Sequence, residues 1–191
     1  MRKYQKEFIE LAIKKKALCF GEYKLKSGRI SPYFFNTGLF NDGESLTKLG
    51  RFYAEALQNS EIKFDMIYGP AYKGIPLAST MAISFHEIFG KNYPFCFNRK
   101  EIKDHGEGGF TFGAEIKNRV IIIDDVISAG TSINESINII QPKGGTVVGA
   151  IVAVNRQERG EGKKSAIQEA EEKFNIKIIS IVSLNDIITY I

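Results

Sequence analysis

Val120-Ile121-Ile122-Ile123-Asp124-Asp125-Val126-Ile127-Ser128-Ala129-Gly130-Thr131-Ser132 is the stretch whose reading decides the fold. Four branched apolar residues run into two adjacent acids. A short turn of small and hydroxyl residues follows and opens a helical pattern, with Ile133, Ile137 and Ile140 in phase. A strand that is apolar on both faces belongs to a parallel sheet covered on both sides. Ligands of such sheets bind beyond the carboxyl ends of the strands, where the acids and the turn fall. Small residues let backbone N–H groups approach an anion, and the helix N-terminus adds a favourable dipole. Ser128, Thr131 and Ser132 add hydroxyl donors. Asp124 and Asp125 repel phosphate but accept hydrogen bonds from sugar hydroxyls. The segment reads as a ribose 5-phosphate cradle, with phosphate on the turn and the diol on the acids. A strand end and a capped helix would each explain one half, but not the whole order of acids, hydroxyls and glycine.

Outward from this segment, the rhythm of strand, turn and helix continues in both directions. Downstream, Val147–Val154 reads as a strand, 163–174 as a charged helix and 176–182 as a strand. Upstream, Phe64–Tyr68 is a short apolar strand, followed by the turn Gly69–Gly74 and a helix to about Phe89. Pro94–Phe97 is a strand that leads into a polar, glycine-rich segment at 99–113. Alternation of this kind predicts an α/β chain with a parallel sheet between helices. The N-terminal part differs. Residues 3–16 place Phe8, Leu11, Ala12 and Ile13 on one helical stripe. Segments around Tyr23–Leu25 and Tyr33–Phe35 suggest a hairpin, and 44–58 returns to helix through Leu46, Leu49, Tyr53, Ala56 and Leu57.

Composition narrows the classes. The 191 residues suit one domain spanning 1–191 and are enough to bury a core without disulfides. The net charge of +4 is mild and no basic block appears, which argues against a nucleic-acid partner. No apolar run approaches the ~18 residues of a membrane span. The amphipathic N-terminus does not read as a signal peptide. Cys19 and Cys96 lie far apart in apolar settings, the pattern of free thiols in a reducing cytoplasm. Asn134-Glu135-Ser136 matches a glycosylation sequon but falls inside a helical pattern. Charge distribution is more telling than its sum: Arg99, Lys100, Lys103 and His105 crowd one glycine-rich stretch and suit a small polyanion. Two common phosphate motifs are excluded. Gly162-Lys163 has Gln157 and Lys164 where a Walker loop needs Gly and Ser or Thr, and Gly106-Glu107-Gly108 meets Thr111 where a dinucleotide fingerprint needs its third glycine.

The 120–132 segment resembles the signature for 5-phosphoribosyl 1-pyrophosphate (PRPP) of the type I phosphoribosyltransferases. Three further stretches resemble the orotate phosphoribosyltransferases among them. These are Lys26-Ser27-Gly28-Arg29 with Ser31-Pro32-Tyr33-Phe34-Phe35-Asn36, then Gly69-Pro70-Ala71-Tyr72-Lys73-Gly74-Ile75-Pro76, then Arg99-Lys100-Glu101-Ile102-Lys103-Asp104-His105-Gly106-Glu107-Gly108. They stand in family order over nearly the whole chain. Two departures are visible: Ser128 stands where a threonine is expected, and Phe110 and Phe112 make the far end of the loop more aromatic than usual.

The resemblance implies a central, mostly parallel sheet flanked by helices. It also implies a small hood formed by about 1–40 with part of the C-terminus. It implies transfer of ribose 5-phosphate from PRPP to orotate, giving orotidine 5′-monophosphate and pyrophosphate, in pyrimidine biosynthesis. PRPP would contact Lys26, Tyr72, Lys73, Arg99, Lys100, Lys103 and His105, and the run Asp124, Asp125, Val126, Ile127, Ser128, Ala129, Gly130, Thr131 and Ser132. Orotate would meet Lys26, Phe34, Phe35, Ser128 and Arg156, the last through a bidentate pair with its carboxylate. Lys73, Lys103, Asp124 and Asp125 would carry the chemistry. Magnesium would come bound to PRPP oxygens and water, with no direct protein ligand. The family's mobile loop, here 99–109, reaches the neighbouring subunit, so a homodimer is implied. A phosphoribosyltransferase for a purine, or a non-catalytic PRPP sensor, are the alternatives. Arg156 with the Phe34–Phe35 hairpin argues against the first. The retained Lys103 and a length that leaves no space for a DNA-binding domain argue against the second.

Overall fold

The computed structural model describes residues 1–24, 28, 30–103, 109–127, 130–160 and 162–191, with the backbone alone at Ile102 and Lys103. Among the described residues, eight strands and six helices follow the order α1 (Lys3–Lys14), β1 (Leu18–Lys24), β2 (Ile30–Phe35), α2 (Gly43–Gln58), β3 (Met66–Gly69), α3 (Gly74–Phe89), β4 (Phe95–Lys103), β5 (Gly109–Gly113), β6 (Asn118–Asp124), α4 (Thr131–Ile140), β7 (Gly145–Asn155), α5 (Ala166–Phe174), β8 (Lys177–Ser183) and α6 (Leu184–Tyr190), with short 3-10 turns at Thr37–Leu39 and Gln141–Lys143.

The main sheet has the order β5-β4-β3-β6-β7-β8. All neighbours are parallel except β5, which runs antiparallel to β4. After β3 the chain builds outward through β4 and β5, then returns to place β6 on the other side of β3. The strand order therefore reverses between β3 and β6, and their carboxyl ends open the crevice where such sheets bind ligands. The β6 side chains show why the sheet must be covered twice. Ile121 and Ile123 join a core cluster with Phe52 and Tyr53 of α2 and Met81 of α3. Val120 and Ile122 join a second cluster with Ile133 and Ile140 of α4 and Ile167 of α5. A strand's side chains alternate between faces, so one apolar run feeds both layers.

The β1–β2 hairpin forms a separate two-stranded sheet, in which Leu18 pairs with Phe35 and Phe20 with Tyr33. Its inner face is not independent of the rest. Phe35 meets Phe8 of α1 and Phe40, and Phe8 stands edge-on to Phe52 of α2 at 5.9 Å. These rings belong to the same cluster as one face of the main sheet. Helix α6 packs on α1 and β8.

Three expectations need correction. The polar segment 99–113 is not all loop: β4 extends to Lys103 and β5 pairs back on it, Phe97 opposite Phe112 and Lys103 opposite Gly109. The rings of Phe97 and Phe112 lie 5.3 Å apart, a cross-strand aromatic pair of the kind that stabilises a ladder. The C-terminal helix α6 was not anticipated; Ser183 starts it with a capping box to Asp186. Strand boundaries also move by a few residues: β1 starts already at Leu18, β2 at Ile30, and β7 runs from Gly145 to Asn155.

Helices α2 and α3 cross closely at Gly50. A Cβ placed there would lie 2.5 Å from the Thr80 carbonyl oxygen and 2.8 Å from Ser84 Oγ. A Gly50→Ala chain is therefore expected to lose about 1–3 kcal/mol through overpacking. Thermal denaturation should show a Tm lower by roughly 2–4 °C for each kcal/mol; an unchanged or higher Tm would mean that the helices part at no cost.

Candidate active site

The crevice beyond β3 and β6 is a cleft of about 650 Å³. The turn after β3 supplies Ala71, Tyr72 and Lys73, β4 supplies Asn98 and Lys100, and β6 with the start of α4 supplies Asp124, Val126, Gly130, Thr131 and Ser132. The turn after β3 is held by close packing. A Cβ on Gly69 would fall 2.1 Å from the Gly74 carbonyl oxygen, so strand end and helix start meet backbone to backbone. The Ala71–Tyr72 peptide is cis, and the Ala71 N–H donates to Asn98 Oδ1 at 2.8 Å. Tyr72 is 71% exposed at the rim. Gly130 adopts the left-handed conformation immediately before α4, so the first N–H groups of a ten-residue helix open toward the cleft.

The two acids are not equivalent. Asp124 lines the cleft. Asp125 is 7% exposed and lies behind it. Every oxygen of the Asp125 carboxylate is engaged: Oδ1 accepts from the Val126 N–H at 2.8 Å, and Oδ2 accepts from Thr37 Oγ1 at 2.8 Å and from Lys73 Nζ at 2.6 Å. Asp124 Oδ1 accepts from the Asp125 N–H at 2.8 Å. The fully buried Tyr53 donates its hydroxyl to the Asp124 carbonyl oxygen at 2.8 Å. Burial first, and then the Asp125 charge, push the Asp124 carboxyl up to about 6. The expected pairing of both acids with a sugar diol thus divides. Asp124 lines the cleft, while Asp125 is masked by Lys73, whose side chain is 62% exposed.

The base-side residues also divide. Tyr33 and Phe35 point inward and Phe34 outward, as alternation along β2 requires. Phe35 lies in the aromatic core at 7% exposure, so its ring cannot form half of a base-facing wall. Phe34 is 42% exposed and stacks loosely on Tyr23 at 5.5 Å. Arg156, just past β7, lies over the Tyr33 ring at 5.4 Å and ion-pairs with Glu158 at 2.8 Å. The ion pair runs through Nη2, and Nε is buried without a hydrogen-bonded partner. Arg156, Phe34 and Phe35 do not line the cleft itself. They gather on the hairpin side, next to the turn that carries Thr37.

The remaining expected residues are placed as follows. Ile127 is buried in the second core cluster, so it has only backbone to offer an anion. Arg99 lies over Phe112 at 5.4 Å and donates from Nη1 to the Gly109 carbonyl oxygen at 3.1 Å. Lys26, His105, Ser128, Ala129 and the Lys103 side chain lie outside the described residues. Among the described residues, no three His, Cys, Asp or Glu side chains gather as a metal cage, and no helix is long and apolar enough to cross a membrane. Sequence reasoning missed Thr37, Asn98 and Glu158. Thr37 and Asn98 act on residues brought near by the fold, and Glu158 acts on Arg156 two positions away.

The raised Asp124 carboxyl has a consequence for stability. Its folded value lies above the ordinary carboxylate value near 4, so the folded chain binds the proton more tightly than the unfolded one. This contribution favours folding at low pH and is lost as pH rises through about 6. Asp124→Asn removes it. The Tm of that variant relative to the unsubstituted chain should rise between about pH 4 and 6 and then level off. Melting curves across that range check this, and a difference independent of pH would contradict it.

Comparison with known proteins agrees with the geometry. The model of the phosphoribosyl transferase domain matches residues 37–182. An orotate phosphoribosyltransferase of Yersinia enterocolitica is 56% identical over 191 residues, covering 100% of this chain and 90% of that protein. The crystal structure of an orotate phosphoribosyltransferase from Francisella tularensis superposes with a TM-score of 0.88 at 39% identity, covering 96% of this chain and 89% of the other. A Mycobacterium tuberculosis orotate phosphoribosyltransferase in complex with PRPP shares the fold at a TM-score of 0.69 and 21% identity, with 96% and 98% covered. With the crevice, the paired acids and the helix N-terminus in place, these matches put the chain in the orotate phosphoribosyltransferase family, with the type I phosphoribosyltransferase fold.

Proposed function

We propose that the chain transfers the ribose 5-phosphate group of PRPP to orotate, giving orotidine 5′-monophosphate and pyrophosphate in pyrimidine biosynthesis. The observation that carries this reading is the convergence on one cleft of Lys73, Asp124 and the open start of α4 at Thr131–Ser132. The 5-phosphate sits on the N–H groups and hydroxyls at 126–132, where charge and dipole favour an anion. Asp124 accepts from a ribose hydroxyl. Lys73 turns from Asp125 toward the pyrophosphate, which frees Asp125 Oδ2 for the second hydroxyl. The base nitrogen of orotate displaces pyrophosphate at the anomeric carbon with inversion, through a transition state resembling an oxocarbenium ion. No enzyme nucleophile is required. Positioning and stabilisation of charge on the leaving group do the work, and two carboxylates near the sugar favour its developing positive charge.

Magnesium would be held through PRPP and water with no direct protein ligand, and would supply neutralising charge to the leaving pyrophosphate. On the base side, Arg156 meets the orotate carboxylate, with Lys26 and Ser128 completing the site and Phe34 offering its exposed ring. Phe35 contributes backbone, since its ring is committed to the core. About 1–40 and part of the C-terminus form the hood over the base. The unpaired cysteines, of which Cys96 is buried with its thiol pushed up to about 12, suit a cytoplasmic protein.

The test is loss of orotate absorbance on adding PRPP and magnesium. Turnover is expected with orotate and not with purine bases, and it should stop in excess chelator. Turnover with a purine base instead, or full activity in chelator, would sink the reading.

The segment 99–109, with Lys103 and His105, closes over pyrophosphate in the partner subunit of a homodimer, while Lys100 already lines its own chain's cleft. Lys103→Ala should fold and bind orotate normally yet turn over about 10²–10³ more slowly, the usual cost of one preorganised donor. Mixed with inactive Asp124→Ala, it should regain activity in mixed dimers detected by native mass spectrometry. Mixed dimers without recovery would mean that the loop serves its own subunit.

A further inference from the structure

Thr37 lies in the short 3-10 turn that follows β2, 88 positions from the acid it touches. It is buried, and its hydroxyl donates to Asp125 Oδ2 at 2.8 Å. The turn is fixed locally, because Asn36 Oδ1 accepts from the Gly38 N–H at 3.0 Å. Asp125 Oδ2 has a second donor in Lys73, at 2.6 Å. The two donors differ in kind. Thr37 has one short, stiff side chain on an anchored turn. Lys73 has a long, mostly exposed one that ends at the mouth of the cleft.

We infer that Thr37 is the positioning residue for Asp125: it holds the carboxylate in orientation when Lys73 leaves for the pyrophosphate of PRPP. This rests on the proposed function for the role of Lys73 and deepens it. Without the Thr37 hydroxyl, departure of the lysine would leave Oδ2 buried with no donor until the ribose arrived, and a buried carboxylate oxygen without a donor is costly. With it, one lone pair remains satisfied and the other faces the ribose. The same hydroxyl ties the ribose acid to the strand that carries Tyr33, Phe34 and Phe35. The hairpin side and the sugar side thus meet at one hydrogen bond.

The experiment compares Thr37→Val, Thr37→Ala and Thr37→Ser with the unsubstituted chain. Calorimetry reads the affinity for PRPP with magnesium, steady-state kinetics reads KM for orotate and kcat, and thermal denaturation reads folding. Thr37→Val should weaken PRPP about 10- to 100-fold, the loss of one hydrogen bond to a charged group. The orotate KM should stay within about threefold and Thr37→Ser should restore PRPP affinity to within about threefold, both small beside that loss. Thr37→Ala opens space instead of placing a methyl against the carboxylate, and keeps the test valid if Thr37→Val does not fold. A double-mutant cycle with Asp125→Asn adds a readout that a merely structural threonine would not move: in that background Thr37→Val should change PRPP affinity by less than about threefold. Unchanged PRPP affinity in the folded valine or alanine variant would overturn the inference. So would an equal loss for both substrates, a serine variant that does not recover, or additivity in the cycle. Turnover of PRPP and orotate by the unsubstituted chain separately tests the activity itself, and the binding measurements do not depend on it.

Discussion

The buried carboxylate of Asp125 is the point on which the site depends. Two turns distant in sequence meet there, the one after β2 through Thr37 and the one after β3 through Lys73, and the adjacent Val126 N–H joins them; β7 holds the same residue's backbone, where the Ala153 N–H donates to the Asp125 carbonyl oxygen at 2.9 Å. An ionised group taken out of water needs partners for each lone pair. Meeting that need fixes where the turns lie relative to one another. The site geometry is in this sense a by-product of satisfying one anion. Asp124, one residue earlier, lines the cleft and accepts from the Asp125 N–H through Oδ1.

The sheet was legible in the sequence because its signals are local and strong. The run Val120–Ile123 is apolar at every position, and both faces of β6 are indeed covered. The turn and helix after it follow from the small residues and the 3.6-residue spacing of Ile133, Ile137 and Ile140. Boundaries were less clear. At β7, Gly145 and Thr146 carry no apolar pattern, and they are drawn into the strand by their pairing with Asn118 and Arg119. The strand β5 was hidden by composition: Gly109 and Gly113 bracket it, and only the alternation of Phe110 and Phe112 around Thr111 hints at a ladder. Helix α6 is a single capped piece of seven residues, too short for periodicity to register.

For the candidate site, the residue types were legible but their division of labour was not. Two adjacent acids suggested two equivalent contacts, yet a strand end turns successive side chains in different directions. One carboxylate faces the cleft and the other is enclosed. Two adjacent phenylalanines suggested one surface, and the same alternation buries one ring and leaves the other out. The residues that were missed, Thr37, Asn98 and Glu158, each hold a site residue by a single contact. Two of those contacts span long stretches of chain, and Glu158 meets Arg156 only because the chain turns back after β7.

The hairpin of β4 and β5 pairs regularly from Cys96–Gly113 to Asn98–Thr111, then loses register until Lys103 meets Gly109. The regular part is braced by the stacked rings of Phe97 and Phe112. The ladder between the two strands is therefore thinnest just past Asn98. Asn98 also holds the Ala71 amide of the turn after β3. The hairpin and the turn that presents Tyr72 and Lys73 are thereby joined through one side-chain amide.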